Sequence, residues 1–317
     1  MDNLLYSLNS VVPLFAVIAL GYLLRRCGVL NENFIDVGTK IGFRVALPCL
    51  LFQQVASADL SAAFSPRLMW FGIVSVLLTV VLLCAVTPLL IRDRAKCGAV
   101  VQAIFRGNFA ILGVPLAINM FGEQGAAPTA LMLPVTVPLY NILAVVVLVL
   151  FEPRDGARTR VDLGKILLNV VTNPLIIAIV LALPVALWRV PLPTMVQSSI
   201  DSVASLATPI ALLCLGGQFD LADAKSNLKI TLPAALVKQV ALPAAALTIA
   251  VLLGFRGGEL GAIFILFMAP SSVSSYIMAK NMRSHAMVAA QMIMLTTLLS
   301  SCTMFLGIFL LRSLQLI

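Results

Sequence analysis

Apolar runs of membrane-spanning length follow one another along this chain with little between them, and two are cut near their middles by helix-breaking residues. The fourth run is interrupted between Arg106 and Pro115, first by Arg106-Gly107-Asn108 and then by Gly113 and Pro115. About 160 residues later, Ala269-Pro270-Ser271-Ser272 cuts the ninth. In lipid every backbone N–H and C=O must be paired within the protein, so such a chain folds into spanning helices. An interruption at mid-depth is tolerated only inside protein or beside water. Paired interruptions in two chain halves are the sequence pointer to a carrier's substrate site.

The balance of residue types agrees. Of 317 residues, 61% are hydrophobic and only 11% charged, with mean hydropathy +1.07, whereas soluble domains carry roughly a quarter charged residues. The net charge of +8 is scattered singly through loops, which argues against nucleic acid as a partner. Six cysteines show neither paired nor metal-ligand spacing, so no metal site and no cofactor is expected. Asp2 precedes the first apolar run and Arg25-Arg26 follow it. That order is the reverse of a secretory signal, and the segment is expected to stay as an anchor.

A bilayer core of about 30 Å needs roughly 20 apolar helical residues, and ten such spans are predicted. They run over Leu5–Leu24, Phe34–Val55, Leu68–Ile91, Gly98–Phe121, Pro128–Phe151, Leu163–Leu183, Met195–Gly216, Ile230–Leu253, Glu259–Lys280 and Ala286–Leu311. One set of connecting loops then holds thirteen basic residues and the opposite set four, namely Arg67, Arg189, Arg256 and Arg312. The positive-inside rule puts the richer set in the cytoplasm and both termini outside, in a multi-pass protein of the cell membrane.

The halves also resemble one another. Val45-Ala46-Leu47-Pro48 falls on Leu206-Ala207-Thr208-Pro209, and Asp59-Leu60 on Asp220-Leu221. Ala103-Ile104-Phe105 falls on Ala262-Ile263-Phe264, and Thr136 on Thr296. An odd number of spans per half inverts the second copy. The expected fold is therefore an all-α membrane protein of ten transmembrane helices, built as two inverted five-helix repeats (1–156 and 157–317) with broken helices 4 and 9. Scaffold and transport bundles would draw on both halves, with the site at the repeat interface.

Polar residues at the breaks form the candidate site. Asn108 brings two donors and an acceptor; Arg106, Gly113 and Pro115 share its break. Pro270, Ser271, Ser272, Ser274 and Ser275 form the other, and Asn141 in the fifth span joins the set. The serine hydroxyls could satisfy freed backbone groups or touch a solute. Arg106 and Lys238 lie within spans, where a cation costs roughly 2.5–3.5 kcal/mol on insertion scales and so faces a partner or water; snorkelling to an interface is the alternative. Arg106 beside Asn108 favours an anion. Asp36, Lys40, Arg44 and Pro48 make a stripe that either lines the cavity or forms an i,i+4 ladder. Asp201, the acidic candidate for coupling, falls opposite Lys40 at the repeat offset, so Asp201, Lys40 and Arg44 serve either coupling or a structural ion pair. His285 follows the ninth span and is expected to face the cytoplasm.

At these residues the chain resembles the auxin efflux carrier family. The stretch Asn108 to Pro115 is similar to that family's N-x-x-x-x-G-x-P crossover, and Ala269-Pro270 with Met278-Ala279-Lys280 resembles the second crossover. Gly254 to Gly257, Asn173-Pro174 and Leu47-Pro48 add to the likeness. The resemblance implies a bile-acid/sodium symporter-like, NhaA-like fold with crossover helices, carrying organic carboxylates, often as a homodimer. It also implies that Asn108 contacts substrate and that Lys238 is a basic family position. The chain lacks the long loop of the plant carriers and has Gly107 where they often have Pro. A small acid such as malonate is therefore expected rather than auxin. The reading is a secondary transporter of a small organic anion, not an enzyme, working by elevator or rocking alternating access, with proton or sodium coupling left open. The alternatives are a non-transporting sensor with the same fold and an intramembrane enzyme; the absence of a GxGD aspartyl pair argues against the latter.

Overall fold

Asn31 opens the second span by accepting a hydrogen bond from the Phe34 N–H at 2.8 Å, which satisfies one of the donors a helix start leaves free. The computed structural model describes residues 16–57, 65–109, 113, 116–118, 120–122, 126–153, 168, 171–218 and 221–317. Among these every regular element is a helix. In chain order they are α1 (16–26), α2 (Glu32–Ile41), α3 (Leu47–Ala56), α4 (Pro66–Leu90), α5 (Arg94–Phe105), α6 (Ala127–Leu150) and α7 (Pro174–Leu187). The later ones are α8 (Thr194–Ala204), α9 (Ala207–Gln218), α10 (Leu221–Leu236), α11 (Leu242–Leu252), α12 (Gly257–Met268), α13 (Ser274–Asn281) and α14 (Ala286–Ser313).

Five described stretches are long and apolar enough to cross a membrane: α4, α6, Thr194–Gln218, Lys225–Leu252 and α14. They match the expected third, fifth, seventh, eighth and tenth spans. The other expected spans differ for local reasons. The second is helical from Glu32 to Ala56 but carries Asp36, Lys40 and Arg44. The ninth is divided into α12 and α13, and α7 covers the later part of the sixth. The first and fourth run into residues outside the described set, and so does Pro115.

Two of these helices widen into π turns, at Gly42–Ala46 and Val237–Ala241. Each is followed directly by Leu-Pro. Pro48 and Pro243 have no N–H to offer the carbonyl four residues back. The Leu47 N–H therefore reaches the Gly42 carbonyl, and the Leu242 N–H the Val237 carbonyl, one residue further than in an α-helix. Both stretches read Val-Ala-Leu-Pro, at 45–48 and 240–243. These two copies do not stand at the repeat offset of about 160 residues.

The loops sort to two ends. At one, Arg94 donates to the Leu150 carbonyl, Arg283 pairs with Glu152 at 3.4 Å and Lys96 with Asn227 at 2.8 Å. Lys280 pairs with Asp36 there at 2.9 Å. At the other, Arg67 donates to the Leu253 carbonyl, Ser65 to Glu259 at 2.9 Å and Arg312 to the Met120 carbonyl at 3.0 Å. The basic-rich loops are thus neighbours in space. Asp36 takes Lys280, so the expected ladder with Lys40 is not what holds it. His285 caps α14, accepting from the Val288 N–H at 3.3 Å, while its backbone N–H binds the Ala95 carbonyl.

Deepest in the bundle are α5 and α12. Every residue of α5 from Cys97 to Phe105 is buried, and every residue of α12 from Leu260 to Met268. A helix apolar on all sides belongs inside, and both of these end at the interruptions. Elsewhere small residues bring backbones together: a Cβ on Gly216 would overlap the Ile18 carbonyl, and one on Gly21 the Leu213 carbonyl. With no hydrophobic drive between helices in lipid, such close packing carries the association. Gly216→Val should therefore lower the unfolding midpoint in detergent, with overpacking costing about 1–3 kcal/mol; an unchanged midpoint would mean α1 and α9 do not meet this way.

Candidate functional site

The two interruptions lie against each other and exchange main-chain hydrogen bonds. The Asn108 N–H donates to the Pro270 carbonyl at 2.7 Å and the Ser272 N–H to the Arg106 carbonyl at 3.1 Å, as an antiparallel bridge centred on Gly107 and Ser271. Gly107 permits that approach. A Cβ there would stand 3.2 Å from the Ala269 carbonyl oxygen and 3.3 Å from that of Leu266.

The groups freed by the breaks are met one by one, as buried backbone requires. Because Pro270 has no N–H, the Leu266 carbonyl lacks its helical partner and takes the Tyr140 hydroxyl at 3.4 Å. The Phe267 carbonyl accepts from Lys238 Nζ at 3.1 Å. Ser271 Oγ donates to the Ala103 carbonyl at 2.7 Å, and the Ser271 N–H goes to Thr296 Oγ1 at 3.0 Å. Thr296 Oγ1 in turn donates to the Met292 carbonyl at 2.7 Å.

The structure thus divides the serine hydroxyls between the two duties the sequence left open. Ser271 serves the backbone. Ser272 and Ser274 bond each other at 2.9 Å and face a cavity of about 60 Å³, room for only a few waters. Ser275 is enclosed, and its Oγ has no partner among the described residues. Arg106, Asn108 and Asn141 line the same cavity. Arg106 does not snorkel: it is 4% exposed, with Nη2 on Asn141 Oδ1 at 2.6 Å and Nη1 on Met278 Sδ at 2.6 Å. A guanidinium has five N–H donors, and a thioether is a weak acceptor. No carboxylate lines the cavity, and no ion pair to Arg106 occurs among the described residues. Leu47, Leu50, Leu51 and Val137 form its apolar wall.

Other expected members sit elsewhere. Lys238 is fully enclosed in the second π turn and addresses the end of α12, not the cavity. A positive charge beside the carbonyl end of a helix is favourable there. Pro270 contributes its carbonyl, and Gly113 packs beside Phe109 and Thr129. Lys40 and Arg44 are exposed. The expected Lys40–Asp201 ion pair is not formed: Asp201 accepts from Gln53 Nε2 at 2.8 Å, because α3 packs against α8. Three polar lining residues were missed, namely Gln54, Thr208 and Tyr140. Thr208 stood in the repeat match at 206–209, and Gln54 in a Gln-Gln pair inside an apolar run, which are the signals that could have found them.

Enclosed half-helices that end at a polar cavity in an apolar helical bundle fit a protein that passes solutes across a membrane. Residues 6–308 match the family described as membrane transport protein, and the chain belongs to this family, the one that contains the auxin efflux carriers. It is similar to an uncharacterized transporter of Methanocaldococcus jannaschii, 20% identical over 307 residues, which cover 92% of this chain and 95% of the relative. A second uncharacterized transporter, from Methanothermobacter thermautotrophicus, is 22% identical over 307 residues, 93% of this chain and 95% of that one.

Ser271→Ala leaves the Ala103 carbonyl without its hydroxyl and should destabilise the fold by about 1–3 kcal/mol, the cost of a buried unsatisfied group. Ser274→Ala should leave the unfolding midpoint nearly unchanged. Equal midpoints for the two variants would show that Ser271 has no special structural duty.

Proposed function

We infer that this transporter moves a small organic anion, held by Arg106, Asn108, Asn141, Ser272 and Ser274. One observation carries the reading: a buried guanidinium faces a cavity in which no carboxylate among the described residues offsets its charge. Burying an unpaired cation is costly, so a carboxylate arriving from solution completes the site. Asn108 and the two serines add neutral hydrogen-bonding groups for the rest of the solute. The small volume and leucine wall favour a short aliphatic acid, malonate-like in size, over an indole ring.

The inverted ten-span repeat remains the architecture this reading uses, with the basic-rich end in the cytoplasm and both termini outside. Alternating access then follows from rocking or elevator movement of the bundle bearing the bridged breaks. Coupling to proton or sodium and assembly as a homodimer are open to the same assays.

Purified protein in proteoliposomes loaded with unlabelled small mono- and dicarboxylates should show counterflow of at least one labelled acid. Arg106→Gln and Asn108→Ala should each lower that flux at least tenfold, as expected for losing a hydrogen bond to a charged group, with little change in unfolding midpoint. Wild-type flux in both variants would remove these residues from the site. A preference for organic cations would reject the anion reading altogether.

A further inference from the structure

Two groups of helices pack among themselves. In one, α2 lies against α9, and α3 against α7 and α8. In the other, α4, α5 and α6 pack together, α12 lies on α6 and α11, and α14 on α5, α10 and α13. Contacts between the groups are those of α3 and α7 with α6, and of α13 with α2 and α9. The small cavity lies along this boundary. Leu47, Gln54 and Ala211 line it from the first group, and Arg106, Asn141 and Ser274 from the second.

Among the described residues, the hydrogen bonds that cross the boundary all lie to one side of the cavity, toward the basic-rich loops. Lys280 Nζ pairs with Asp36 at 2.9 Å and donates to Gln218 Oε1 at 3.1 Å. The Tyr276 hydroxyl donates to the same Gln218 oxygen and stands 3.3 Å from the Cys214 carbonyl oxygen. Asn281 Nδ2 donates to the Thr39 carbonyl at 3.0 Å. Chain order sets these contacts apart from the cavity on all three stretches that make them. Asp36 and Thr39 precede Leu47 and Gln54, Gln218 follows Ala211, and Tyr276 and Lys280 follow Ser274. Beneath the polar contacts the seam is tight: a Cβ on Gly42 would stand 2.8 Å from Ile277 Cδ1, and one on Gly38 3.0 Å from Cys214 Sγ.

We propose that this clasp is the gate of the solute cavity toward the basic-rich end, with Lys280–Asp36 as its outer latch and Tyr276–Gln218 as its inner one. The inference rests on the alternating access of the proposed function, which requires the closed side of the cavity to open. α13 starts two residues after the bridge residue Ser272, so parting it from α2 and α9 clears a path to Ser274 and the cavity. The latch suits reversible closure. Asp36 keeps 55% of its side-chain surface in the pair and Lys280 21%, and an ion pair so placed adds little net stability. The inner hydrogen bonds are exchanged for bonds to water as the seam opens.

Cys214 supplies the reporter, because it stands between Ala211 of the cavity and Gln218 of the clasp and is fully buried. In a protein whose other cysteines are replaced by Ala, held in nanodiscs without any solute, a membrane-impermeant maleimide should modify Cys214 slowly. Asp36→Lys and Lys280→Asp should each speed modification about tenfold, since a like-charge contact replaces an attractive one of similar size. Combined, they restore an opposite-charge pair and should return the rate to that of the parent. Asp36→Asn, a neutral change at an exposed side chain, should speed it about threefold and serves if a charge reversal impairs folding. Rates unchanged in the single variants, or still fast in the combined one, would overturn the gate. So would rapid modification of the parent, which would mean that the seam is not closed. No solute enters this measurement, so failure of the gate is read separately from absence of anion counterflow, which would strike the site reading instead.

Discussion

Two main-chain hydrogen bonds, from Asn108 to Pro270 and from Ser272 to Arg106, hold together the stretch on which the rest of the molecule depends. Breaking two helices inside an apolar bundle frees several donors and acceptors, and lipid offers none in return. The breaks are stable together because each supplies what the other lacks. Side chains complete the pairing: Ser271, Thr296, Tyr140 and Lys238 each meet one group left over by the bridge. An alteration at any of them therefore strands a polar backbone atom as well as removing a contact.

That arrangement also creates the chemistry. Arg106 is the residue at which α5 ends, so its backbone enters the bridge while its side chain is aimed toward Asn141 and the cavity. The enclosure of α5 and α12 means that the guanidinium has little solvent to screen it. Fold and site are thus one construction: the geometry that repairs the broken helices also presents a buried cation to a small hollow.

Much of this was legible in advance because lipid is a strict solvent. Helix-breaking residues in a span-length run have few explanations, and they single out Arg106, Asn108, Ser272 and Ser274, which the structure places around one cavity. The misreadings have a common cause. Lys238 was correctly recognised as a costly cation, but nothing local says that its partner is the Phe267 carbonyl rather than a solute. Asp201 was matched with Lys40 by offset, whereas packing of α3 on α8 brings Gln53 to it instead. Gln54 and Thr208 were missed because their spans meet the cavity only through distant contacts.

The sequence by itself determined that the chain is helical and membrane-borne, where two helices must break, and which family it belongs to. These follow from composition, backbone chemistry and motif, all of which act over a few residues. Tertiary structure alone decided which hydroxyl repairs the backbone and which faces the hollow, and what each buried cation touches. Those outcomes turn on distances between residues far apart in the chain, and such distances are set by how the helices pack.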